Sequence, residues 1–255
     1  MRTLSVIIPA YNAAATLPRA MESVFLQDLA GWTLELIIVD DGSRDRSAAI
    51  AESTARLFSM PVTVLRQNNG GPSSARNAGV AAARGKLIAF LDADDRWLPG
   101  KLKAQLEAME KFPGTALVCC PMNDRKFRSH RRILPLGFRS LLFTNRIYTS
   151  SVLVERRAFL EKGGFDPARR LSEDYELWLK IADRHRVLAI NVPYLVYTKT
   201  GGISSRLWQM ERGELETYRR SRNAGMIPPL LHAILRYWSI AKYYLRRLSR
   251  LPWST

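Results

Sequence analysis

The chain has 255 residues, 47% hydrophobic and 24% charged, which suits one α/β domain with a small appendage and excludes a largely disordered chain. With 39 Lys and Arg against 23 Asp and Glu its formal charge is +16, so the surface attracts polyanions: nucleic acid, anionic headgroups or phosphorylated ligands. The N-terminus reads as no signal peptide, and no run of about 18 apolar residues offers a simple membrane span, so a cytoplasmic location is expected.

The apolar run Leu4 to Ile8 predicts a buried strand that ends in a turn at Pro9 and Asn12. A helix follows, with Leu17, Met21, Val24 and Phe25 inward. Leu34 to Val39 predicts a second strand, closed by Asp40-Asp41-Gly42-Ser43, and Ser47 to Phe58 a second helix. Val62 to Leu65 is a third strand leading into Asn68-Asn69-Gly70-Gly71, with a helix over Ala75 to Ala83. Leu87 to Leu91 is a fourth strand that delivers Asp92-Ala93-Asp94-Asp95. This alternation predicts a mostly parallel, doubly wound sheet, in which ligands lie beyond the carboxyl ends of the strands. The polar clusters at Asn12, Asp40-Asp41, Asn68-Asn69 and Asp92 to Asp95 all fall there, so one cleft can gather them.

From about residue 115 the alternation breaks down. Adjacent Cys119 and Cys120 do not suit a disulfide and read as buried thiols in a reducing compartment. Arg125, Lys126, Arg128, Arg131 and Arg132 form a basic cluster. Gly163-Gly164-Phe165-Asp166 precedes Ser172-Glu173-Asp174, which opens the apolar helical stripe Leu177, Trp178, Leu179 and Ile181.

Asp92 and Asp94, two apart at a strand end, can aim at one point, and hard cations such as Mg²⁺ or Mn²⁺ want such oxygen ligands beside phosphate oxygens. The alternative is an acidic surface loop that caps the next helix. A strand followed by D-x-D also opens phosphatases of the haloacid dehalogenase type, but near the N-terminus and without a third Asp such as Asp95. Ile38-Val39-Asp40-Asp41 is similar to response-regulator receivers, whose acidic pair ends the first strand and not the second. Asp40 and Asp41 suit a base N–H or a ribose hydroxyl, or else a solvated turn. Arg76 suits a phosphate or a plain helix start. Asp174 stands where a general base is well placed, and Ser172 suits an N-cap; the two readings are compatible.

Together, Ser5-Val6-Ile7-Ile8-Pro9-Ala10-Tyr11-Asn12, Ile37 to Ser43, Asn69-Gly70-Gly71 with Ala75 to Gly79, Phe90 to Asp95, Gly163 to Asp166 and Ser172-Glu173-Asp174 resemble the family 2 glycosyltransferases of the GT-A fold. The six segments occur in the family's order and cover about residues 4 to 205. The resemblance implies an inverting transfer of one sugar from a nucleotide-sugar, a UDP-sugar, to a saccharide or lipid-linked saccharide hydroxyl in polysaccharide or glycolipid synthesis. Pro9, Ala10, Tyr11, Asp40, Asp41 and Arg76 would hold the nucleotide, with Asn12, Asn69, Asp92 and Ala93 in the same set. Asp94 with Asp92 would bind Mg²⁺ or Mn²⁺ on the diphosphate, and Asp174 would deprotonate the acceptor with Glu173 beside it. Residues 1–115 would be the donor half, 116–205 the acceptor and base half, and 206–255 a basic helical tail.

Two departures from the family's pattern stand out. Lys199 or Thr200 stands where members often carry His, and the Gln-x-x-Arg-Trp signature of processive synthases is missing, which implies one transfer per encounter. A sugar nucleotidyltransferase would want an N-terminal Gly-rich, Arg-containing phosphate loop, and Pro9 to Asn12 replaces it. A nucleic-acid-binding module would satisfy the charge but not the acidic and amide clusters, so no nucleic-acid partner is expected. In residues 226–255, which hold five Lys and Arg and no acid, Leu231, Ile234, Leu235, Trp238 and Leu245 share one helical face. That segment suits either peripheral contact with an anionic membrane or packing on the domain.

Overall fold

A computed structural model describes residues 2–58, 61–169, 171–198 and 207–248. The first half follows the alternation closely. It runs β1 (Thr3–Ala10), α1 (Leu17–Phe25), β2 (Thr33–Asp40), α2 (Ser47–Leu57), β3 (Val62–Arg66), α3 (Pro72–Ala82) and β4 (Leu87–Phe90). The four strands are parallel in the order β3-β2-β1-β4, and β1 and β4 are buried on both faces except at β1's ends, as continuous apolar runs require. Helix α3 begins three residues before the expected Ala75, because Pro72 has its φ fixed and lacks an N–H, both suited to a first turn. Along α1, Leu17, Met21 and Val24 are buried, as the periodicity demands, while Phe25 is half-buried.

The second half completes the sheet out of sequence order. After β5 (Arg96–Trp97), α4 (Lys101–Lys111), β6 (Thr115–Cys119), β7 (Ile133–Pro135) and α5 (Phe138–Phe143), a single 3-10 turn at Thr149–Ser151 leads into β8 (Leu153–Glu155). Strand β8 inserts antiparallel between β4 and β6. Then come α6 (Arg156–Glu161), α7 (Glu173–Arg184), β9 (Arg186–Ile190), β10 (Leu195–Val196), α8 (Leu207–Asn223) and α9 (Pro229–Leu248). The eight-stranded sheet runs β3-β2-β1-β4-β8-β6-β9-β7, and β5 pairs with β10 apart from it. Cys119 and Cys120 are free and buried, and burial pushes both thiols up, Cys120 to about 11.

Helices cover both faces of this sheet. On one, Phe90, Phe159, Phe165 and Trp178 form a tilted and edge-on aromatic cluster beneath α3, α6 and α7. On that face α3 lies so close to β1 that a Cβ on Gly79 would meet Ile7 Cγ2 at 2.5 Å. Ile7 is wholly buried and has nowhere to retreat.

The tail corrects one expectation. Helix α9 packs on α8 and α5, and its inward seam is His232, Leu235 and Ser239, with Lys242 paired to Glu214. Of the five apolar residues assigned to one face, only Leu235 is fully buried; Ile234, Trp238 and Leu245 are exposed. Polar residues share the seam with Leu235, Ser239 bonding Glu211, and hydrophobicity alone does not mark them. Trp253 and Arg250 lie outside the described residues.

Replacing Gly79 by Ala is expected to destabilise the fold by about 1–3 kcal/mol through overpacking against Ile7. Denaturant unfolding measures this, and an unchanged midpoint would show that the α3–β1 contact yields.

Candidate active site

The carboxyl ends of β1, β2 and β4 converge on a cavity of about 660 Å³. Ten of the thirteen residues singled out from the sequence line it: Pro9, Ala10, Tyr11, Asn12, Asp41, Asn69, Arg76, Asp92, Ala93 and Asp94. Asp40 is absent from the lining. It is buried, and its Oδ1 accepts from the Ser43 backbone N–H at 3.1 Å, so it fixes the turn. Asn12 adopts φ 49°, and its Oδ1 accepts from the Arg44 N–H while its own N–H donates to Ser43 Oγ. These bonds clasp the β1 loop to the β2 loop. Tyr11 is half exposed at the rim and presents its ring to the opening.

Asp41 organises the third loop. Its carboxylate accepts from Gln67 Nε2 at 2.7 Å and from the backbone N–H groups of Gly70 at 2.9 Å and Gly71 at 2.8 Å. The Asn-Gly-Gly segment is thus wound around one carboxylate before α3 starts. Gln67 carried no sequence signal beyond following a strand.

Arg76 is the hub. On α3 and with its side chain 7% exposed, it donates to Asp92 Oδ1 at 2.6 Å and lies 3.5 Å from Glu173 Oε1. Its guanidinium sits 5.4 Å from the Phe165 ring centroid. Burial opposes its charge, but Asp92, Glu173 and Asp174 outweigh that and raise its pKa. The next residue, Asn77, exchanges two hydrogen bonds with the Phe165 backbone, at 2.7 and 3.1 Å. Gly164 permits this approach: at φ 66° a side chain there is strained, and a Cβ would lie 2.9 Å from Asn77 Oδ1. The two motifs Ala75-Arg76-Asn77 and Gly163 to Asp166 are therefore one structural unit.

Glu173 and Asp174 open α7 and do not line the cavity; Arg76 joins them to it. Asp174 Oδ2 accepts from Thr149 Oγ1 at 3.0 Å and its Oδ1 from the Tyr175 N–H at 2.7 Å. Burial pushes its carboxyl above the usual range, against Arg76 and these two donors, which favour the charged form. Glu173 is raised likewise, by burial and by the neighbouring Asp174. Ser172 occupies the N-cap position but makes no side-chain cap; it sits at φ 54°, and its Oγ would be 2.4 Å from a Cβ at Gly213 of α8.

Two residues enter that the sequence reading left out, Thr149 and Ser150, together with Asp95, which it placed in the cluster without a role. Asp95 is buried, accepts from Ser150 Oγ at 2.6 Å and from the Thr198 N–H at 2.9 Å, and is pushed up to about 7 by burial and by the charge of Asp92. Ser150 Oγ also accepts from the Asp92 N–H, and Thr149 holds Asp174. The short 3-10 turn before β8 thus braces both acidic loops. Its only sequence mark was the third carboxylate of Asp92 to Asp95. Lys199 and Thr200 lie outside the described residues.

A family profile, Glycosyl transferase family 2, matches residues 5–165. The chain belongs to that family. It is 32% identical over 187 residues to an uncharacterized glycosyltransferase of Haemophilus influenzae, covering 70% of this chain and 61% of that protein. It is 34% identical over 193 residues to the succinoglycan biosynthesis protein ExoO of Rhizobium meliloti, covering 67% of this chain and 53% of that one. Among solved structures it is similar to S. aureus TarS 1-349 in complex with UDP-GlcNAc, with a TM-score of 0.72 at 20% identity over 98% of this chain and 73% of that chain. It is equally similar to the mannosyltransferase PcManGT of Pyrobaculum calidifontis in complex with GDP-Man and Mn²⁺, with a TM-score of 0.72 at 19% identity over 97% of this chain and 75% of that chain. At these identities the likeness establishes the fold, which is the GT-A type expected from the resemblance.

Proposed function

We propose that the chain transfers one sugar from a UDP-sugar to a saccharide or lipid-linked saccharide hydroxyl, with inversion, in polysaccharide or glycolipid synthesis. The observation that carries this reading is the bridge through Arg76, with Asp92 and Asp94 in the cavity on one side and Glu173 and Asp174 on the other. Residues 1–115 then serve the donor, 116–205 the acceptor and base. Family membership, the nucleotide-sugars named for the TarS and PcManGT complexes, and the likeness to ExoO support it.

The donor's base would lie against Tyr11, with Pro9, Ala10, Asn12 and Asn69 around it. Asp41, which already accepts three hydrogen bonds, keeps lone-pair capacity for a base N–H or ribose hydroxyl. The donor set Asp92 and Asp94 is hard oxygen, which fits Mg²⁺ or Mn²⁺. Among the described residues no three His, Cys, Asp or Glu cluster to hold a cation alone, so a diphosphate would complete the coordination. Arg76, the buried cation of the cavity, is already matched by Asp92 and Glu173, and no other Lys or Arg is among the described residues that line it. When bound, the ion supplies Lewis-acid neutralisation of that charge. Asp174, oriented by Thr149 and the Tyr175 N–H, takes the acceptor proton as the acceptor oxygen attacks the anomeric carbon and the nucleoside diphosphate leaves from the opposite face.

Peripheral membrane contact belongs to the same reading. Opposite its seam, α9 presents Leu230, Tyr237 and Tyr244, flanked by Ile234, Trp238 and Leu245, as a stripe of about 120° at 100° per residue. Arg236 and Arg247 flank the stripe, and the helix carries no acid. Apolar and aromatic side chains with cations beside them fit the interface of an anionic bilayer. No helix among the described residues is long and apolar enough to cross one.

UDP with Mn²⁺ is expected to raise the melting temperature, and Asp94→Ala to remove the rise; a wild-type chain that no nucleoside diphosphate stabilises would sink the donor reading. Asp174→Asn is expected to lower transfer by about 10²–10⁴-fold with donor binding retained. Because the base must be unprotonated, the wild-type rate should climb with pH through a value above the usual aspartate 3.8, and Asp174→Asn should lose that limb. Vesicles containing phosphatidylglycerol should co-sediment the chain, and Leu230→Ser with Tyr237→Ser and Tyr244→Ser should release it. A dimer dispersed by the same three changes would instead make this face a self-interface.

A further inference from the structure

A second cavity, of about 510 Å³, lies on the other side of the base, and its electrostatics are the reverse of the first. Arg125, Lys126, Arg128 and Arg146 line it, and none of its lining residues is an acid. Among the described residues none of these four cations has an acidic partner within ion-pair distance, in contrast to Arg76. The remaining wall is largely apolar, with Pro121, Phe127, Leu134 and Leu136.

The loop that carries three of the cations is held in place. Asn191, just after β9, accepts from the Phe127 N–H at 2.7 Å and donates through Nδ2 to the carbonyls of Phe127 at 3.2 Å and Ser129 at 2.9 Å. Its own N–H donates to the Arg132 carbonyl at 2.7 Å. One amide side chain thus pins a loop whose basic side chains project freely, which lowers the ordering cost of holding an anion.

Two connections tie this cavity to Asp174. Tyr148 lines the cavity, and the next residue, Thr149, donates to Asp174. Ser140 of α5 and Thr144 just after it also line it, and the α5 carbonyls of Leu141 and Leu142 accept from Tyr175 OH at 2.7 and 3.1 Å. On its far side α5 meets α9, where Trp238 Nε1 donates to the Phe143 carbonyl at 3.1 Å. Helix α5 therefore borders the cavity, the helix that carries Asp174 and the helix whose outer face is apolar.

We propose that this cavity binds the anionic group of the acceptor, a phosphate or diphosphate ester, with its oxygens on the four cations and its organic part on the apolar wall. Arginine forks bind phosphate oxygens bidentately without a metal, whereas the acid-lined donor cavity needs one. The proposal rests on Asp174 as the base, and it extends that reading from an acceptor hydroxyl to an acceptor that is charged.

Calorimetry with inorganic pyrophosphate in EDTA, at low salt, tests it with the full chain. The wild-type chain and Asp94→Ala should bind. Arg125→Ala combined with Arg146→Ala should weaken binding by at least about tenfold, the value of one well-made charged contact. Both arginines are exposed, so the fold should survive, and unchanged binding of UDP with Mn²⁺ checks that it does. Arg56→Ala with Arg157→Ala, exposed arginines outside the cavity, should change little. Absence of wild-type binding, persistence in the first pair, or equal loss in both pairs overturns the proposal. Failure of UDP with Mn²⁺ to bind the wild type, with pyrophosphate binding intact, counts against the donor reading alone. Hexyl phosphate binding more than about tenfold tighter than inorganic phosphate identifies a lipid-type ester, and equal affinity a polar phosphosaccharide; loss of either in the Arg125→Ala and Arg146→Ala pair supports the cavity as the site, and retention in that pair overturns it.

Discussion

The guanidinium of Arg76 lies between two carboxylates 81 residues apart in the chain, Asp92 and Glu173, and the surrounding loops meet around it. Asp92 reaches it from the end of β4 and Glu173 from the start of α7, while Phe165 covers its flat face. An unpaired cation so deeply buried would carry a heavy desolvation penalty, and so would the acids without it. Each group therefore requires the others. That mutual need explains why Ala75-Arg76-Asn77 and Gly163 to Asp166 meet: Asn77 grips the Phe165 backbone and so seats the ring beneath the guanidinium. It also explains how the cavity that Asp94 lines and the buried carboxylate of Asp174, 80 residues apart in sequence, are held in one frame.

The charge of +16 takes on a more specific meaning once it is mapped onto the fold. The cavity at the ends of β1, β2 and β4 is the acidic exception on a basic molecule, and its lone arginine is neutralised internally. The surplus appears instead beyond Thr149, in the loop pinned by Asn191, and along α9. A chain that needed polyanions everywhere would not segregate charge in this way. Segregation places an acid-lined cavity and an acid-free basic one in the same molecule.

Much of the first half was legible from the sequence because β1, β2 and β4 are largely buried on both faces and read as apolar runs, while loops such as Asp40 to Ser43 and Asn68 to Gly71 punctuate them. Their position at strand ends gave the cavity. What the sequence concealed depends on strand β8, which enters the sheet antiparallel and out of order and brings Thr149 and Ser150 to carboxylates 25 and 55 residues away. Neither residue sits in a pattern that announces this. In the tail, hydrophobic periodicity finds the apolar face of a helix, but α9 turns Leu235 inward with His232 and Ser239 and leaves Ile234, Trp238 and Leu245 exposed. Asp40, by contrast, turned out to hold its own turn, the reading that Asp-Gly-Ser chemistry always allowed.

The late arrival of β8 also shapes how the molecule can be assembled. When β1 to β4 have been synthesised, β4 is an open edge, four wholly buried residues long in the finished protein, with nothing beside it to satisfy its outward amides. Its neighbour emerges from the ribosome some 65 residues later, after α4, β6 and α5. During that interval the nascent sheet exposes a sticky apolar margin at its centre, which is the kind of surface that chaperones bind and that misassembly exploits. Closing this gap joins β4 to β6 and brings in the turn that bonds Asp92 and Asp95, before α7 supplies Glu173 and Asp174.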